Sequence, residues 1–363
     1  GDRAADLVLK NARILNVFTG EFISGHLAIC GDRIAGIGDY KGRREVDLGG
    51  RYVAPGFIDA HVHIESAMVS VSEFARSVLA RGTTTVVADP HEIANVLGAA
   101  GIRYMLEAAR ELPMDIRFTL SSCVPATDME TAGARLEAAD LRPFWSEERI
   151  VALAEVMNFP GVIGADPSVL AKMADAIQHG KPIDGHSPGV TGKALNAYLA
   201  AGVASDHECT AAAEALEKIA GGMSIMVREG TGARNLDALF PAITDETWRR
   251  MMWCTDDRHP ADLLDLGGVD HIVRRAIQKG MDPVRALRMA TVNPARHFGF
   301  RDVGAIAPGR SGGAWGPLCA ERGTGLLRRS IGGGKWRANR RDILAGRRDA
   351  PGRDAGHAGI GFL

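Results

Sequence analysis

The chain has little of three features that would each define a class of protein. Its five cysteines are scattered and form no CxxC pair, which argues against a disulfide framework and against a thiolate zinc site. No apolar run approaches the roughly 20 residues that span a bilayer, and the opening GDRAADLVLK lacks the apolar core of a signal peptide. These absences favour a soluble, cytoplasmic protein with reduced thiols and no membrane partner.

A strong charge of either sign is also missing, since the formal net charge is −1 over 363 residues. The balance is uneven, because from Arg310 onward eleven Lys and Arg stand against four Asp and Glu. This stretch, 310–363, is rich in Gly and Arg, has no periodicity and lacks the aromatic interleaving that base stacking requires. We expect an irregular tail that arises from a frameshift or truncation, and no nucleic-acid binding.

Residues 1–54 predict a small β-sheet domain. Short β segments rich in branched residues alternate with Gly, Asp and Asn turn signals, as in ADLVLKNARILNV and HLAICGDRIAGIG. The phrase GAIAPGR after Val303 suits a return to this sheet, but no recognisable strand follows it. We therefore expect partner strands from beyond the main body to be missing and one sheet edge to be unpaired.

Residues 55–309 predict an α/β domain, a TIM-like (β/α)₈ barrel. Apolar strands alternate with Ala/Leu/Glu-rich helical stretches, several of which end in Gly. The eight predicted strands are 56–62, 83–89, 116–122, 150–156, 182–186, 202–207, 223–229 and 251–257. Eight such units, each strand nearly all apolar, favour a closed barrel over an open sheet.

His61 and His63 end the first of these strands, in PGFIDAHVHIES. Residues two apart in a strand point to the same side, so both imidazoles converge at the barrel mouth. A lone histidine is more often a satisfied core residue than a ligand. Two in register beside Asp59 and Glu65 would be a costly polar cluster without a cation, so the pattern predicts a metal site.

The same pattern recurs at later strand ends. Glu155 ends the fourth strand, His186 the fifth, His207 the sixth and Asp256 the eighth. The carboxyl ends of barrel strands form the functional face, so these side chains are expected to meet His61 and His63 there. A site with this many nitrogen ligands suits Mn²⁺, Fe²⁺ or Zn²⁺ better than Mg²⁺ or Ca²⁺, and its size suits a dinuclear centre.

These motifs resemble the amidohydrolase superfamily, which has HxH on strand one, a bridging residue on strand four, His on strands five and six, and Asp on strand eight. Within it the chain is most similar to the bacterial adenine deaminases. That resemblance covers residues 6–309 through PGFIDAHVHIES, TTTVVADPHEIANV, LAEVMNFPGV, DGHSPG, SDHE, MVREG and CTDDRHP. It implies hydrolytic removal of the 6-amino group of adenine, giving hypoxanthine and ammonia in purine salvage, with manganese or iron bound.

The catalytic predictions follow from this chemistry. Asp256 is predicted to take a proton from the attacking water and to pass it to the leaving amine, while a second acid protonates a ring nitrogen. The resemblance favours His91 and Glu92 of ADPHE for that acid, with Asp257 and Glu208 as further candidates. Glu92 has a structural alternative as a carboxylate near a helix N-terminus, and Asp257 as a partner of Arg258.

Substrate contacts are predicted from the loops after the barrel strands. The polar residues expected there are Ser121, Ser122, Ser187, Glu208 and Arg228. Serine at a strand end is also a common turn or cap residue. Two other functions stay open: a second amidohydrolase activity on a cyclic amide, like that of a dihydroorotase, and a truncated inactive homologue. The sequence leaves a homo-oligomer open as well.

Overall fold

The computed structural model describes residues 3–311 and the backbone of Gly361–Phe362. Most of the predicted Gly/Arg-rich tail lies outside the described residues. The chain divides into two compact units, one that runs to Gly56 and resumes at Ala305, and one that spans Phe57–Gly304. The predicted division into a sheet, a barrel and a tail, at 54/55 and 309/310, stays a prediction.

The first unit is a sheet of two long and four short strands in the described residues. They are β1 (Ala5–Asn16), β2 (Glu21–Cys30), β3 (Arg33–Ile37), β4 (Gly42–Asp47), β5 (Tyr52–Ala54) and the two-residue strand Gly361–Phe362. β1 is central, antiparallel to β2 and parallel to both β4 and β5. Buried apolar residues of β1, β2, β3 and β5 pack with Ile306 to form its core.

The sheet receives backbone partners from beyond residue 304, which differs from our expectation. Ile34 N donates to Arg310 O at 2.9 Å and Gly309 N donates to Ile34 O at 2.9 Å. Ser311 forms an antiparallel bridge with Arg33, and Gly361–Phe362 pairs in parallel with β5. The APGR turn therefore does return to this sheet. It does so through backbone hydrogen bonds, which the pattern of side chains in the sequence does not reveal.

The second unit contains the predicted alternation of strands and helices. Its strands are β6 (Phe57–His63), β7 (Thr83–Ala88), β8 (Asp115–Leu120), β9 (Ile150–Val156), β10 (Ile183–Gly185), β11 (Ser205–Asp206), β12 (Ser224–Arg228), β13 (Met251–Cys254) and β14 (Asp256–Asp257). Every residue of β6, β7 and β9 is buried, as expected for parallel strands covered on both faces. The α/β class is therefore confirmed.

The strands of the second unit form two parallel sheets. One has the order β10-β9-β8-β7-β6-β14 and the other the order β11-β12-β13. A parallel bridge between Ile183 and Val203 links β10 to the residues before β11. One residue, Thr255, separates β13 from β14, which pairs with the end of β6. Strand ends from both sheets thus face a common edge.

Helices follow most of the strands. They are α1 (Val71–Leu79), α2 (His91–Leu97), α3 (Ala99–Ala108), α4 (Ala138–Leu141), α5 (Phe159–Ile163), α6 (Pro167–Gln178), α7 (Gly192–Ala200), α8 (Ala212–Ala220), α9 (Leu236–Leu239), α10 (Pro260–Asp265), α11 (Val269–Gln278), α12 (Pro283–Met289) and α13 (Val292–His297). Side chains of Ser70, Asn158, Asp166 and Asp282 cap four of them. None of the helices in the described chain has both the length and the apolarity that crossing a bilayer requires.

Candidate metal centre and active site

His61 and His63 lie at the carboxyl end of β6 on the same side of the strand, as their spacing predicts. Both are buried, and their Nε2 atoms are 3.0 Å apart. The Nδ1 atom of His63 lies 3.1 Å from the backbone oxygen of Asp89, in the loop after β7. Because a carbonyl only accepts, Nδ1 carries the proton in this contact, and in the neutral ring Nε2 is left as the atom that can bind a cation.

Glu155 on β9 lies at the middle of the cluster. Its Oε1 atom is 3.3 Å from His63 Nε2 and 3.3 Å from His91 Nδ1. Its Oε2 atom is 2.5 Å from His186 Nδ1 and 3.1 Å from His207 Nε2. One carboxylate is therefore shared between two groups of histidines, one from β6 and the start of α2, the other from the ends of β10 and β11.

His186 and His207 are the first residues after β10 and β11. The sixth strand is much shorter than the predicted 202–207, yet it leaves His207 at the expected edge. The rings of His207 and His61 stack, with their centroids 4.2 Å apart. This contact brings the end of the three-stranded sheet against the end of β6.

Asp256 belongs to β14, which pairs with the end of β6. Its Oδ1 atom is 3.2 Å from His63 Nε2 and 4.0 Å from His61 Nε2. Its Oδ2 atom accepts a 2.6 Å hydrogen bond from Arg228, at the end of β12. The same guanidinium pairs with Glu208 through a second bond of 2.9 Å. Arg228 is thus a cation held between two carboxylates of the cluster.

The loop after β7 and the start of α2 bring Asp89, His91 and Glu92 to the same edge. His91 Nδ1 lies 3.0 Å from Asp89 Oδ2, and Glu92 Oε2 lies 3.5 Å from His63 Nδ1. We did not predict Asp89, although it ends its strand as the other candidates do. The motif ADPHE could have revealed it, since its first acidic residue precedes the histidine by two positions.

Two carboxylates of the outer part of the cluster share one hydroxyl. Ser66 Oγ lies 3.3 Å from Glu92 Oε1 and also contacts Asp257. Asp257 is exposed and Glu92 is half-buried, so Asp257 is the more accessible of the two carboxylates. Glu65 accepts a 3.3 Å bond from the backbone N–H of Ile93, which is the role of a carboxylate at the start of α2. Ser66 was missed because a single serine carries no pattern.

The carboxylates of the cluster hold protons on several imidazoles. Burial acts to lower the pKa of His63, but hydrogen bonds to Asp256 and Glu155 keep it well above its ordinary value. Glu155 likewise raises the pKa of His207 to about 9 against the effect of burial. The pKa of His61 is well below its ordinary value, because burial and the neighbouring histidines His207 and His63 act in the same direction. A cation that binds these rings would displace protons from them.

The carboxylic acids of the cluster also have shifted pKa values, lowered for Asp256 and raised for Glu65. Burial acts to raise the pKa of Asp256, but His63, His207 and His61 outweigh it and hold that pKa below its ordinary value. The pKa of Glu65 is raised to about 7, first by burial and then by the charge of Glu92. Asp256 is therefore an ionised carboxylate at neutral pH, as a metal ligand or proton acceptor must be.

The three serines predicted as substrate contacts are used inside the protein. Ser121 Oγ donates to Asp89 Oδ1 at 3.3 Å, Ser122 Oγ to the backbone oxygen of Glu155 at 2.6 Å, and Ser187 Oγ to a buried carboxylate on β11 at 3.2 Å. Each is at most 1% exposed. These hydroxyls join loops to one another behind the cluster, and a contact of the serines with substrate stays a prediction.

The six predicted ligands are all brought together, and the donor set fits a divalent transition metal. Potential ligand atoms within 4.8 Å of one another occur in several overlapping sets, among them His61, His63 and Asp256, then His61, Glu155 and His207, then His186, His207 and Glu208. Imidazole nitrogen with a few carboxylates is the ligand mixture that Mn²⁺, Fe²⁺ and Zn²⁺ accept. Without a cation, this many buried ionisable groups would be costly.

A mainly parallel α/β unit with an imidazole and carboxylate cluster at its strand ends defines a class of hydrolases. The amidohydrolase family model matches residues 52–312, and the chain belongs to the amidohydrolase family. The family prediction made from seven motifs is thus confirmed.

Among curated proteins the chain is similar to adenine deaminases. It is 57% identical over 309 residues to the adenine deaminase of Desulfatibacillum aliphaticivorans and 53% identical over 308 residues to that of Clostridium acetobutylicum. Each match covers 85% of this chain and 54% of the relative, so the chain spans about half the length of these relatives.

Solved structures share the fold. A crystal structure of an adenine deaminase matches with a TM-score of 0.62 at 15% identity, over 85% of this chain and 88% of that one. The beta-aspartyl dipeptidase of Fervidobacterium islandicum AW-1 matches with a TM-score of 0.60 at 17% identity, over 85% of this chain and 91% of that one. At these identities the matches support the fold alone and do not identify the substrate.

Proposed function

We propose that this chain is a metal-dependent adenine deaminase, which converts adenine and water to hypoxanthine and ammonia. The observation that carries the proposal is the convergence of four histidines with Glu155 and Asp256 at one edge of the second unit. The similarity to curated adenine deaminases gives the substrate class. A cytoplasmic location and self-association stay predictions.

The centre is proposed to be dinuclear, with Mn²⁺ or Fe²⁺ favoured and Zn²⁺ also compatible with the ligands. His61, His63 and Asp256 would hold one ion, His186 and His207 the other, and Glu155 both. The division of the Glu155 oxygens between the two histidine groups supports this assignment. When bound, such an ion lowers the pKa of a coordinated water from 15.7 to about 7, which supplies a nucleophile at neutral pH.

The side chains around the centre have separate tasks in this proposal. Asp256 accepts the proton of the attacking water and passes it to the 6-amino group, which leaves as ammonia. His91, Glu92 and Asp257 lie near His63 and are the proposed candidates for protonation of a ring nitrogen. The raised pKa of His91, which Asp89 and Glu155 maintain against burial, suits a proton donor. Glu208, held by Arg228, is proposed as a contact to the purine.

The second unit is proposed to be a closed eight-stranded barrel. Two observations support closure: the bridge from Ile183 to Val203 between the sheets, and the pairing of β14 with β6 at the opposite seam. We also propose that the small sheet, the barrel and the tail correspond to residues 1–54, 55–309 and 310–363. Closure matters for function because it brings the ends of β6 and β11 within contact distance.

The test is reconstitution of the purified chain with Mn²⁺ or Fe²⁺, followed by adenine absorbance and ammonia release. The rate of adenine conversion by His61→Ala should be at least 100-fold lower, because this variant lacks one ligand of the first ion. Removal of a residue that only hydrogen-bonds to a metal ligand typically costs about 10–100-fold. His179→Ala is the matched control, since His179 is exposed at the end of α6. Full activity in His61→Ala, or turnover of dihydroorotate without turnover of adenine, would overturn the proposal.

A further inference from the structure

A buried lysine lies directly behind the ends of β10 and β11. Lys218 on α8 is 0% exposed. Its Nζ atom donates to Asp206 Oδ2 at 3.0 Å, Glu214 Oε1 at 2.7 Å and the backbone oxygen of Ser187 at 2.7 Å. An ammonium group has three protons, and three acceptors receive them here. Such a fully bonded buried charge fixes the geometry of everything it contacts.

Asp206 connects this lysine to two proposed ligands. It is adjacent to His207 and points to the opposite side of the strand, toward α8, as neighbouring strand residues do. Its Oδ1 atom accepts the backbone N–H of Ser187 at 2.7 Å, and its Oδ2 atom accepts that of Glu208 at 3.3 Å. Ser187 follows His186 and Glu208 follows His207. One carboxylate therefore joins the backbone after both ligands.

Glu214 extends the connection by one turn of α8. It lies four residues before Lys218, so both side chains occupy the same helix face. Its Oε1 atom accepts the backbone N–H of Gly189 at 2.9 Å, and its Oε2 atom that of Thr210 at 3.4 Å. The loop after β10 is therefore bonded twice to α8, while β11 is bonded to it through Asp206 and the loop after β11 through Thr210.

We propose that Lys218, Asp206 and Glu214 are positioning residues for one half of the metal centre, the half formed by His186 and His207. In the described part of the chain the hydrogen bonds of these three side chains stay within residues 187–218, and none reaches His61, His63 or Asp256. The network would thereby set the affinity of one ion relative to the other. This inference rests on the proposed dinuclear centre.

The charges of Lys218, Asp206 and Glu214 explain why loss of the lysine would weaken one ion more than the other. Lys218 separates two buried carboxylates, Asp206 and Glu214, that would otherwise face each other. Without the lysine they repel, and the loops that they hold move with them. His186 and His207 would then lose their alignment, whereas the two histidines on β6 depend on strand pairing and on Asp89.

The experiment titrates metal-free protein with Mn²⁺ and follows bound ion by electron paramagnetic resonance. We expect two ions in the unmodified chain, with the spectrum of a spin-coupled pair. In Lys218→Met one ion should bind about 10–100-fold more weakly while the other keeps its affinity, and the coupled spectrum should disappear at low Mn²⁺. Glu214→Gln keeps the side-chain volume and should show the same selective loss to a smaller degree, so it carries the test should Lys218→Met not fold.

Lys181→Met is the matched control. Lys181 also donates to a backbone carbonyl, that of Ile150 at 2.7 Å, but at the opposite end of β9. It should leave both affinities unchanged. Equal weakening of both ions, or no weakening, in a folded Lys218→Met or Glu214→Gln variant would overturn this inference alone. Failure of the unmodified chain to bind any Mn²⁺ would overturn the proposed centre as well.

Discussion

Asp59 shows how a single residue behind the cluster opposes folding when it ionises. It is buried, and its oxygens accept hydrogen bonds from Thr255 N at 3.0 Å and Thr255 Oγ1 at 2.5 Å. Burial raises its pKa to about 7 in spite of these bonds. In the unfolded chain an aspartate titrates near 3.9. The folded state therefore favours the neutral acid.

The prediction concerns Asp59→Asn in metal-free protein. A raised acid pKa contributes stability that is present below about pH 4 and lost as the pH rises through about 7, so the unmodified chain should lose unfolding free energy over this window. Over the same window the unfolding free energy of Asp59→Asn should fall less steeply, by up to about 1.4 kcal/mol per pH unit. At pH 8 the variant should therefore be more stable than the unmodified chain. Denaturant unfolding at several pH values measures the difference. Asp32→Asn, at an exposed position, is the control, and a difference that does not vary with pH would contradict the prediction.

At the scale of residues, strand-end position was the informative signal. It predicted His61, His63, Glu155, His186, His207 and Asp256, because each lies within two residues of the carboxyl end of a predicted strand. The same signal could not separate serines that face a substrate from serines that brace loops, since both lie at strand ends. Asp206 and Lys218 were missed because their pairing joins a strand to the helix that follows it, a contact that sequence spacing does not reveal.

Among the elements, β10 and β11 approach each other closely where the two sheets of the second unit meet. β10 ends at Gly185, and a Cβ atom there would lie 2.2 Å from the backbone oxygen of Ser205 and 2.7 Å from Val203 Cγ1. The absence of a side chain is therefore what lets these strands meet. His186 follows immediately, so the approach also places a proposed ligand.

Gly185→Ala is expected to push β10 and β11 apart. The methyl group meets backbone, which cannot rotate away, so we expect a loss of about 1–3 kcal/mol in unfolding free energy. The rate of adenine conversion should also fall, because His186 moves with its strand. Gly232→Ala, where a Cβ atom meets nothing within 4 Å, is the control. Equal stability of the two variants in thermal unfolding would contradict the close packing.

The strands were easier to predict than their lengths. Apolar runs between turn signals located all eight, from β6 to β13, but β11 has two residues where six were predicted. Strand length depends on which backbone groups find partners in neighbouring strands, and that is decided by the pairing of distant segments. The backbone pairing of Gly309, Arg310 and Ser311 with the first sheet was hidden for the same reason.

For the whole molecule, a bound ion should add stability to the folded state alone. The ligands come from strand ends spread between His61 and Asp256, so the unfolded chain holds no equivalent site. At an ion concentration 100 times the dissociation constant, the gain is about 2.7 kcal/mol per site. A chelator should therefore lower the midpoint of thermal unfolding by several degrees. The variant His61→Ala should respond less to the chelator, and identical shifts would place the stabilising ion elsewhere.

The stacking of His207 on His61 joins the ends of two sheets that lie in different parts of the chain. In the proposed centre His61 would hold one ion and His207 the other, so the magnetic coupling of two Mn²⁺ ions would depend on the contact between the two sheets. Loss of that coupling would report that the sheets have separated. Separation of the two sheets could then be followed in time apart from the loss of their secondary structure, without an added label.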